Sequence, residues 1–341
     1  MNNQNRLVQV HKYLPTASDV HTDSLLNNFS VAFLEDMATT GYASSIFPMV
    51  PVNHQTDKYR VWPKDDFFRD SARKRAPGTP VQRGGFRVSD DSYYCDVYEA
   101  GTLIPEEVMK NADNPAELDQ AATNYVMQTL AIRREVDFVT NYMTSGIWGT
   151  SIVGVTSGAS AGTSVLGWNV TSSTPIEDVI AARKAVRLAS GRRANTIVLG
   201  YDVRAALATN AQIVARLVNG QTPGQIADVS DADLARVFGV DRVIIADAVY
   251  NSAAEGATAV MAFIAGDFVW VGYVDPNPGL QSLTAGVSFT WNGMPGGTGV
   301  GTRMVRHTDP EIYADKIDGF RNWGDKVVSA GAGYFFSNMV A

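Results

Sequence analysis

The strongest catalytic pattern in the sequence is the run Gly158-Ala159-Ser160-Ala161-Gly162, which has the Gly-x-Ser-x-Gly spacing of a hydrolase nucleophile elbow. Such an elbow needs a strand before the serine and a helix after it, so that the hydroxyl lies on a tight turn. Residues 163–168 do not resemble a helix start, and His307 is the one histidine downstream that could act as a base. We therefore expect a flexible loop here, and a serine hydrolase using Ser160 is a remote alternative.

The other candidate sites for chemistry are weaker. The four histidines are scattered singly, which predicts no metal site. The glycine run at 296–301 lacks the Lys-Ser/Thr pair of a phosphate-binding loop and is predicted to be a turn between strands. Cys95 has no base near it in the sequence and is predicted to be a small apolar filler on a strand. The sequence thus predicts no catalytic residue, no cofactor and no metal, and favours a protein that is not an enzyme.

Length and composition are typical of a globular chain with a negative net charge. The 341 residues are 45% hydrophobic, and 35 acidic against 28 basic residues give a formal charge of −7. This charge argues against a protein whose main task is to coat nucleic acid, so any such contact must be local. A single cysteine excludes disulfides within the chain and suits a reducing compartment. We expect an intracellular protein without a signal peptide or a membrane contact.

The first hundred residues are predicted to be too extended to form a core of their own. Residues 1–55 are expected to be an arm with one amphipathic helix at 24–37. Residues 56–98 are predicted to form a long β-hairpin around the turn Ala76-Pro77-Gly78-Thr79-Pro80. Each hairpin arm of about twenty residues could reach roughly 65 Å, and a two-stranded ribbon of that length is marginal alone in water. We therefore expect it to pack on a neighbouring subunit.

The middle of this hairpin is strongly basic. Six cations against one acid, Asp70, give it a local charge of +5 on a chain of −7. Opposite charges on two parts of one chain favour head-to-tail self-association. We therefore predict inter-subunit contacts through Arg69, Arg73, Lys74, Arg75, Arg83 and Arg87.

The hairpin has two alternative interpretations, as a nucleic-acid-binding finger and as the carrier of a catalytic carboxylate pair. The arginines interleave with Phe67, Phe68 and Phe86, as in a finger that binds nucleic acid, but acidic residues at the root of the hairpin would repel a phosphate backbone. Asp65-Asp66 and Asp90-Asp91 could face each other as a catalytic carboxylate pair. Beside so many cations, they are predicted to be salt-bridge partners instead.

The rest of the chain is predicted to be a mixed α+β unit behind one very long helix. Asn114-Pro115-Ala116-Glu117 is a good helix start, and apolar residues at steps of three and four extend this helix over 116–143, about 42 Å. Further helices are predicted to begin at Ser230 and at Thr174, where Thr174-Pro175-Ile176-Glu177 forms a capping box. Buried strands are expected at 196–199 and in the apolar C-terminal run, and residues 260–265 and 268–274 are predicted to form a hairpin.

The order of these segments resembles the major capsid protein of tailed bacteriophages, the Hong Kong 97 fold. The resemblance covers nearly the whole chain. The segments that carry it are Ile46-Phe47-Pro48-Met49-Val50-Pro51-Val52, Leu130-Ala131-Ile132-Arg133-Arg134-Glu135, Ala194-Asn195-Thr196-Ile197-Val198-Leu199-Gly200, Phe238-Gly239-Val240-Asp241-Arg242-Val243, Pro276-Asn277-Pro278-Gly279-Leu280, Ala314-Asp315-Lys316-Ile317 and Gly333-Tyr334-Phe335-Phe336.

This resemblance implies an α+β capsid fold with five parts. They are an N-terminal arm that enters the peripheral domain (1–55), an extended loop (56–98), a peripheral domain with a spine helix (99–172), an axial domain (173–286) and C-terminal strands that return to the peripheral domain (287–341). An axial loop pointing toward the five- and six-fold axes would include Gly220, Gln221, Thr222, Pro223 and Gly224.

The resemblance also implies a structural function without catalytic turnover. Such proteins assemble with themselves into the pentamers and hexamers of an icosahedral shell around double-stranded DNA, with scaffolding, portal and in some cases decoration proteins as partners. The implied location is the virion capsid, after assembly in the host cytoplasm, with weak non-specific contact to DNA. An encapsulin nanocompartment, which has the same fold and encloses an enzyme, is the nearest alternative.

Overall fold

The computed structural model describes residues 41–81, 83–218, 229–254, 256–279, 282–294 and 302–340. Helices and strands are mixed in these residues, which confirms the predicted α+β class. The predicted arm helix at 24–37 and the glycine run at 296–301 lie outside the described residues. Among the described helices, none is both long and apolar enough to cross a bilayer.

In chain order the described elements are α1 (Ala43–Ile46), β1 (Met49–Val52), β2 (Thr56–Val61), α2 (Lys64–Phe67), β3 (Ser89–Tyr94), β4 (Asp96–Pro105), α3 (Glu106–Asn111), α4 (Pro115–Tyr142), β5 (Thr150–Val155), β6 (Ser164–Leu166), α5 (Pro175–Ser190), β7 (Thr196–Gly200), α6 (Tyr201–Thr209), α7 (Ala211–Val218), α8 (Asp231–Phe238), β8 (Arg242–Ala246), β9 (Val249–Asn251), β10 (Met261–Phe263), β11 (Val269–Gly272), β12 (Gly286–Trp291), β13 (Thr302–Asp309), β14 (Ala314–Val327) and β15 (Gly333–Ser337).

The larger sheet has six strands and a fully buried centre. Its spatial order is β6-β5-β15-β11-β7-β8. Every residue of β7 and β11 is buried, as expected for apolar strands that are covered on both faces. Strand β15 lies between β5 and β11, which confirms that the apolar C-terminal run is buried in a sheet. The five-part division of the chain stays a prediction, but β15 pairs in this sheet and not with β12 to β14.

Two hydrophobic cores lie on opposite faces of the six-stranded sheet. Val269 and Val271 of β11 pack into a core with helices α5 to α8, whereas Trp270 between them packs into a core with Phe138 of α4. This division follows from the two-residue repeat of a strand, which points successive side chains to opposite faces. The long helix α4 therefore supports the sheet from the side opposite helices α5 to α8.

The second sheet is built around β14, a strand of 14 residues. Its order is β1-β12-β14-β13, and β4 also pairs with β14. Helix α4, with 28 residues, packs against β4 and β14. Gly319 in β14 allows this close packing, because a Cβ at this position would lie 2.5 Å from a methyl group of Val126. The predicted long helix is confirmed, with its bounds shifted by one residue.

The ribbon at the start of the extended loop is shorter than predicted. Strands β2 and β3 pair antiparallel over six residues, from Thr56 opposite Tyr94 to Val61 opposite Ser89. Pro63, which lacks a backbone N–H, then precedes the short helix α2, and the described residues between 68 and 88 contain no strand. The expectation of two paired arms of about twenty residues is therefore wrong, because an exposed two-stranded ladder without a supporting sheet is marginal.

The predicted hairpin of residues 260–265 and 268–274 is also wrong. Strand β10 pairs with β9 in a separate two-stranded ribbon, and β11 lies between β15 and β7. Gly266-Asp267 suggested a tight turn between neighbouring strands. However, β11 is apolar on both faces, and the centre of the six-stranded sheet buries both.

The predicted helix starts are confirmed, but one of them is capped differently. At α8 the Ser230 hydroxyl accepts the Asp233 N–H at 3.2 Å. At α5 the side chain of Thr174 makes no such bond. Instead the side-chain oxygen of Gln212 accepts the Ile176 N–H at 3.0 Å. A residue of the neighbouring helix α7 thus replaces the predicted capping box.

Candidate assembly interface

Beyond the β2–β3 ribbon, the extended loop projects its side chains into solvent. From residue 67 to residue 92, every described residue is exposed. The exposed fraction is 70% for Phe68 and 64% for Phe86. Full burial of such a ring is worth about 1.5–3 kcal/mol, and the subunit by itself does not provide it. The loop is therefore the strongest candidate for a contact surface.

Two contacts hold the start of the loop against the end of helix α5. The Lys64 ammonium donates to the carbonyl oxygen of Ala189 at 2.8 Å, where a cation is favoured by the helix dipole. The ring of Phe68 lies over Gly191 so closely that a Cβ on this glycine would collide with it. Gly191 also ends the helix in the left-handed conformation, with φ of 73°, which favours glycine. These contacts fix the point at which the loop leaves the body.

The outgoing and returning halves of the loop are tied together by Asp66 and Arg87. The backbone N–H and Nε of Arg87 both donate to Asp66 Oδ2, at 2.9 and 3.1 Å. The side-chain hydrogen bond lowers the pKa of Asp66 and raises the pKa of Arg87. The adjacent rings of Phe67 and Phe86 lie 5.7 Å apart. Arg87, one of the six predicted contact residues, is therefore engaged within its own subunit.

The predicted turn at the tip of the loop is present. The Thr79 backbone N–H donates to the carbonyl oxygen of Ala76 at 3.3 Å. Gly78, the third residue of the turn, has a φ of 82°, in the left-handed region that favours glycine. Arg75 Nε donates to the carbonyl oxygen of Thr79 at 2.6 Å and so braces the turn from outside.

Three of the six predicted contact residues have no hydrogen-bond or ion-pair partner in the described part of the chain. These are Arg73, Lys74 and Arg83, and all three are exposed. Arg69 contributes to the lowered pKa of Asp66, and it also faces solvent. The assignment of all six side chains to inter-subunit contacts stays a prediction.

The second predicted contact region lies outside the described residues. It consists of Gly220, Gln221, Thr222, Pro223 and Gly224. On either side of it, helix α7 ends at Val218, and the described chain resumes at Val229, whose side chain is buried. The role of the axial loop stays a prediction.

The loop that carries Ser160 does not have the geometry of a nucleophile elbow. Ser160 is exposed between β5 and β6, and its backbone N–H donates to Ser164 Oγ at 2.8 Å. A strand follows where an elbow needs a helix. The candidate base, His307, belongs to β13 in the other sheet, with its Nδ1 3.7 Å from Asp318. The structure thus does not place the two residues on one sheet edge.

The remaining residues that could have formed a catalytic or metal site take part in structural contacts instead. Of the four aspartates predicted to be salt-bridge partners, Asp66 pairs with Arg87, whereas Asp91 instead accepts the Tyr59 hydroxyl at 2.8 Å. Cys95 is fully buried, and burial raises the pKa of its thiol to about 11, so that it stays protonated at neutral pH. In the described ranges, no group of three or more His, Cys, Asp or Glu is placed to hold a metal ion.

Sequence reasoning missed a buried charge cluster in the middle of α4. Arg134 is 5% exposed and forms an ion pair with Asp325 of β14, with its second nitrogen 2.9 Å from Oδ1. Glu135 beside it accepts the backbone N–H groups of Tyr42 and Ala43, at 3.3 and 3.2 Å. Burial raises the pKa of Glu135. Two neighbouring residues of α4 therefore hold two parts of the fold in place. Arg134 binds β14 of the second sheet, and Glu135 binds the backbone at the start of α1.

The spacing of residues along α4 could have revealed part of this buried charge cluster. Leu130, Arg134 and Phe138 follow one another at steps of four and share one face of α4. Both apolar members are buried, so the cation between them needs a buried partner. That partner, Asp325, is 191 residues away, and local spacing cannot identify it.

Solved structures match the protein over most of its length, whereas no protein-family model and no curated sequence matches it. A phage-related protein from Bordetella bronchiseptica RB50 is 18% identical, with a TM-score of 0.64 over 88% of this chain and 92% of that chain. The capsid structure of cyanophage P-SCSP1u is 12% identical, with a TM-score of 0.55 over 96% and 98%. The SrpI encapsulin from Synechococcus elongatus PCC 7942 is 13% identical, with a TM-score of 0.51 over 93% and 95%.

At these identities the similarity is one of fold, and a shared fold does not by itself establish a shared function. Because nearly the whole length of both chains is matched, the similarity is not confined to one domain. The protein therefore has the capsid fold that its sequence predicted, the Hong Kong 97 fold of tailed-phage capsid proteins.

Proposed function

We propose that the protein is a structural shell protein, and specifically the major capsid protein of a tailed phage, which assembles into the pentamers and hexamers of an icosahedral shell around double-stranded DNA. The observation that carries the proposal is the exposed loop of residues 62–88 on a fold shared with a phage capsid. Ordering such a loop costs roughly 1–2 kcal/mol per residue of backbone entropy. A neighbouring subunit supplies the burial that the loop lacks within its own subunit.

The distribution of charge supports a container for DNA. The chain carries −7 and the segment 69–87 carries +5, so the remainder carries −12. Tight binding to a phosphate backbone depends on cations that displace its counterions. A shell of this charge touches packaged DNA weakly and without sequence preference, and the DNA can move in and out.

The principal partner of the protein in this proposal is the protein itself. Scaffolding, portal and decoration proteins are the further proposed partners. The subunits assemble in the host cytoplasm, and the finished shell belongs to the virion. No catalytic turnover is required.

The second candidate function is an encapsulin-type nanocompartment, which the similarity to the SrpI encapsulin favours. Both candidates use the same fold and the same kind of contact between subunits. They differ in what the shell encloses, which is DNA in one case and an enzyme in the other. The TM-score of the cyanophage capsid structure, 0.55 against 0.51 for the encapsulin, supports the capsid as the first candidate.

The test is sedimentation and electron microscopy of the full chain, produced alone and together with a candidate scaffolding protein. We expect hollow particles in the megadalton range. Nuclease-protected DNA inside particles from producing cells supports the capsid, and a co-purifying enzyme supports the nanocompartment. A stable monomer of 36.8 kDa under all conditions contradicts both.

A further inference from the structure

A cavity of about 370 Å³ lies where the root of the ribbon, helix α4 and strand β14 meet. Its volume is at the lower end of the range of ligand pockets, about 300–1,000 Å³. Tyr94, Asp96 and Tyr98 line it from the β3 and β4 side, Asp137 from α4 and Trp323 from β14. The cavity therefore combines aromatic rings with carboxylates.

One wall of the cavity is a rigid aromatic stack. The rings of Tyr98 and Trp323 lie 3.8 Å apart and are inclined by 5°. The Tyr98 hydroxyl and Trp323 Nε1 both donate to Asp137 Oδ2 at 3.2 Å, which fixes both rings. The guanidinium of Arg133 already lies 5.7 Å from the centre of the Tyr98 ring. Arg134 and Arg321 lie 5.4 and 5.9 Å from the centre of the Trp323 ring, so arginines of the same subunit already flank the stack.

The cavity also contains one carboxylate, that of Asp96, without an ion-pair partner among the described residues. Three carboxylates line it against one ammonium group, that of Lys326. Asp137 and Asp325 are paired with arginines of α4. The Asp96 side chain is exposed and has no hydrogen-bond or ion-pair partner within the described ranges. A cation that enters the cavity therefore meets an unpaired carboxylate beside a stacked ring.

The matching cation is present on the same chain but on a distant part of it. Arg73 is exposed and unpartnered in the described residues, on a segment of charge +5. The cavity includes Thr56 and Tyr94, at the root end of the ribbon, whereas the loop leaves the ribbon at Val61 and Ser89. The root end and the loop end of the ribbon are therefore five residues apart along a strand, about 17 Å. No described residue between 62 and 88 lines the cavity.

We propose that this cavity is the receptor for Arg73 of a neighbouring copy of the chain, whose guanidinium pairs with Asp96 beside the Tyr98–Trp323 stack. The inference rests on the proposed shell function and deepens it, because it names the two surfaces that meet. A guanidinium suits the site better than the ammonium of Lys74, since it forms forked hydrogen bonds with a carboxylate. The unpaired Asp96 carboxylate repels a phosphate backbone from the same site.

The test compares the assembly of charge variants by sedimentation over a series of protein concentrations. Asp96→Arg or Arg73→Asp alone is expected to raise the concentration for half-maximal assembly by about tenfold or more, which corresponds to about 1.4 kcal/mol. The double variant restores the pair with its charges exchanged. It is expected to assemble at a lower concentration than either single variant.

Glu99→Arg is the matched control for Asp96→Arg. Glu99 is exposed on the same strand, β4, but three residues on, and it does not line the cavity. An odd spacing along a strand places the two side chains on opposite faces. This control is expected to assemble as the wild type does. Arg73→Lys keeps the charge without the planar group and is expected to fall between the wild type and Arg73→Asp.

The outcomes separate this inference from the shell function on which it rests. Failure of the wild type to form particles contradicts the shell function. Normal assembly of Asp96→Arg, with the wild type also assembling, overturns the receptor and leaves the shell function intact. A double variant no better than the single variants overturns the pairing of Arg73 with Asp96. Thermal unfolding of dissociated subunits checks that each variant is folded, and Asp96→Asn replaces Asp96→Arg if the latter is not.

Discussion

The six-stranded sheet and the extended loop contain the same kind of side chain in opposite surroundings. Phe335 and Phe336 in the sheet are 2% and 1% exposed, whereas Phe68 and Phe86 in the loop are 70% and 64% exposed. The chain thus stabilises its sheet with its own contacts, whereas Lys64 and Phe68 anchor the loop to the body near the start of the loop. If the proposed contact between subunits forms through the loop, folding of the subunit and this contact depend on separate sets of residues.

The largest effect is expected when the same substitution is made in both regions. Phe336→Ala should lower the free energy of unfolding by about 3–5 kcal/mol, because it leaves a cavity beside Trp168 and Tyr334. Phe86→Ala should change it by less than about 0.5 kcal/mol. Urea unfolding of dissociated subunits measures both. Equal losses would remove the distinction between the sheet and the loop.

The two ion pairs that fix α4 and the loop give a second comparison. Arg134→Met should cost about 3–5 kcal/mol of unfolding free energy, because it leaves the 3% exposed side chain of Asp325 unpaired. Replacing both partners, with Asp325→Leu added, should recover most of the loss. Arg87→Met should have little effect, because the Arg87 side chain is 70% exposed. A large loss with Arg87→Met would show that the loop contributes to the folding of its own subunit.

A third comparison concerns the sign of a pH dependence. Burial raises the pKa of Glu135, so its stabilising contribution is present below the ordinary value of 4.5 and is lost as the pH rises through the folded-state pKa. Unfolding measured between neutral and acidic pH should therefore shift in favour of the wild type over Glu135→Gln as the pH falls.

The loop carboxylate Asp66 should behave in the opposite way. Its hydrogen bonds with Arg87 lower its pKa, so its contribution is present at neutral pH and is lost on acidification. The wild type should therefore lose its advantage over Asp66→Asn as the pH falls. The difference in unfolding free energy between the wild type and each variant should change in opposite directions with pH. A change in the same direction for both variants would contradict the surroundings assigned to one of the two carboxylates.

The smallest effect on the subunit, and a large one on assembly, is expected at the loop tip. Reversal of Arg73 and Lys74 to Glu should block particle formation and leave thermal unfolding nearly unchanged, because both side chains are exposed. Arg75 is left unchanged, since it braces the turn through the carbonyl oxygen of Thr79. Light scattering and thermal unfolding measure the two properties. Shells that close normally would show that the loop tip is not a contact surface.

Elements with a strong local pattern could be predicted from the sequence. The start of α4 at Asn114 and Pro115 and its apolar repeat gave bounds within one residue, and the apolar run of β7 was recognised as buried. The turn at Gly78 was predicted because few residues other than glycine suit a left-handed conformation.

The partners of the strands could not be predicted in the same way, because pairing is decided far along the chain. Strand β11 pairs with β7 and β15, which are not its neighbours in sequence, so the expected hairpin did not form. The length of the β2–β3 ladder depends on support that the loop itself does not encode. The cavity at Asp96 and Trp323 joins segments more than 200 residues apart and has no local signature.

Hydrogen exchange of the loop, measured on dissociated subunits and on assembled particles of the same preparation, tests the central claim most directly. If a second copy completes the loop, backbone amides of residues 69–87 are expected to exchange fast in the subunit and to become protected in the particle. Those of β7 and β11 are expected to be protected in both states. Equal exchange of the loop in the two states would contradict the claim that the loop binds a neighbouring subunit.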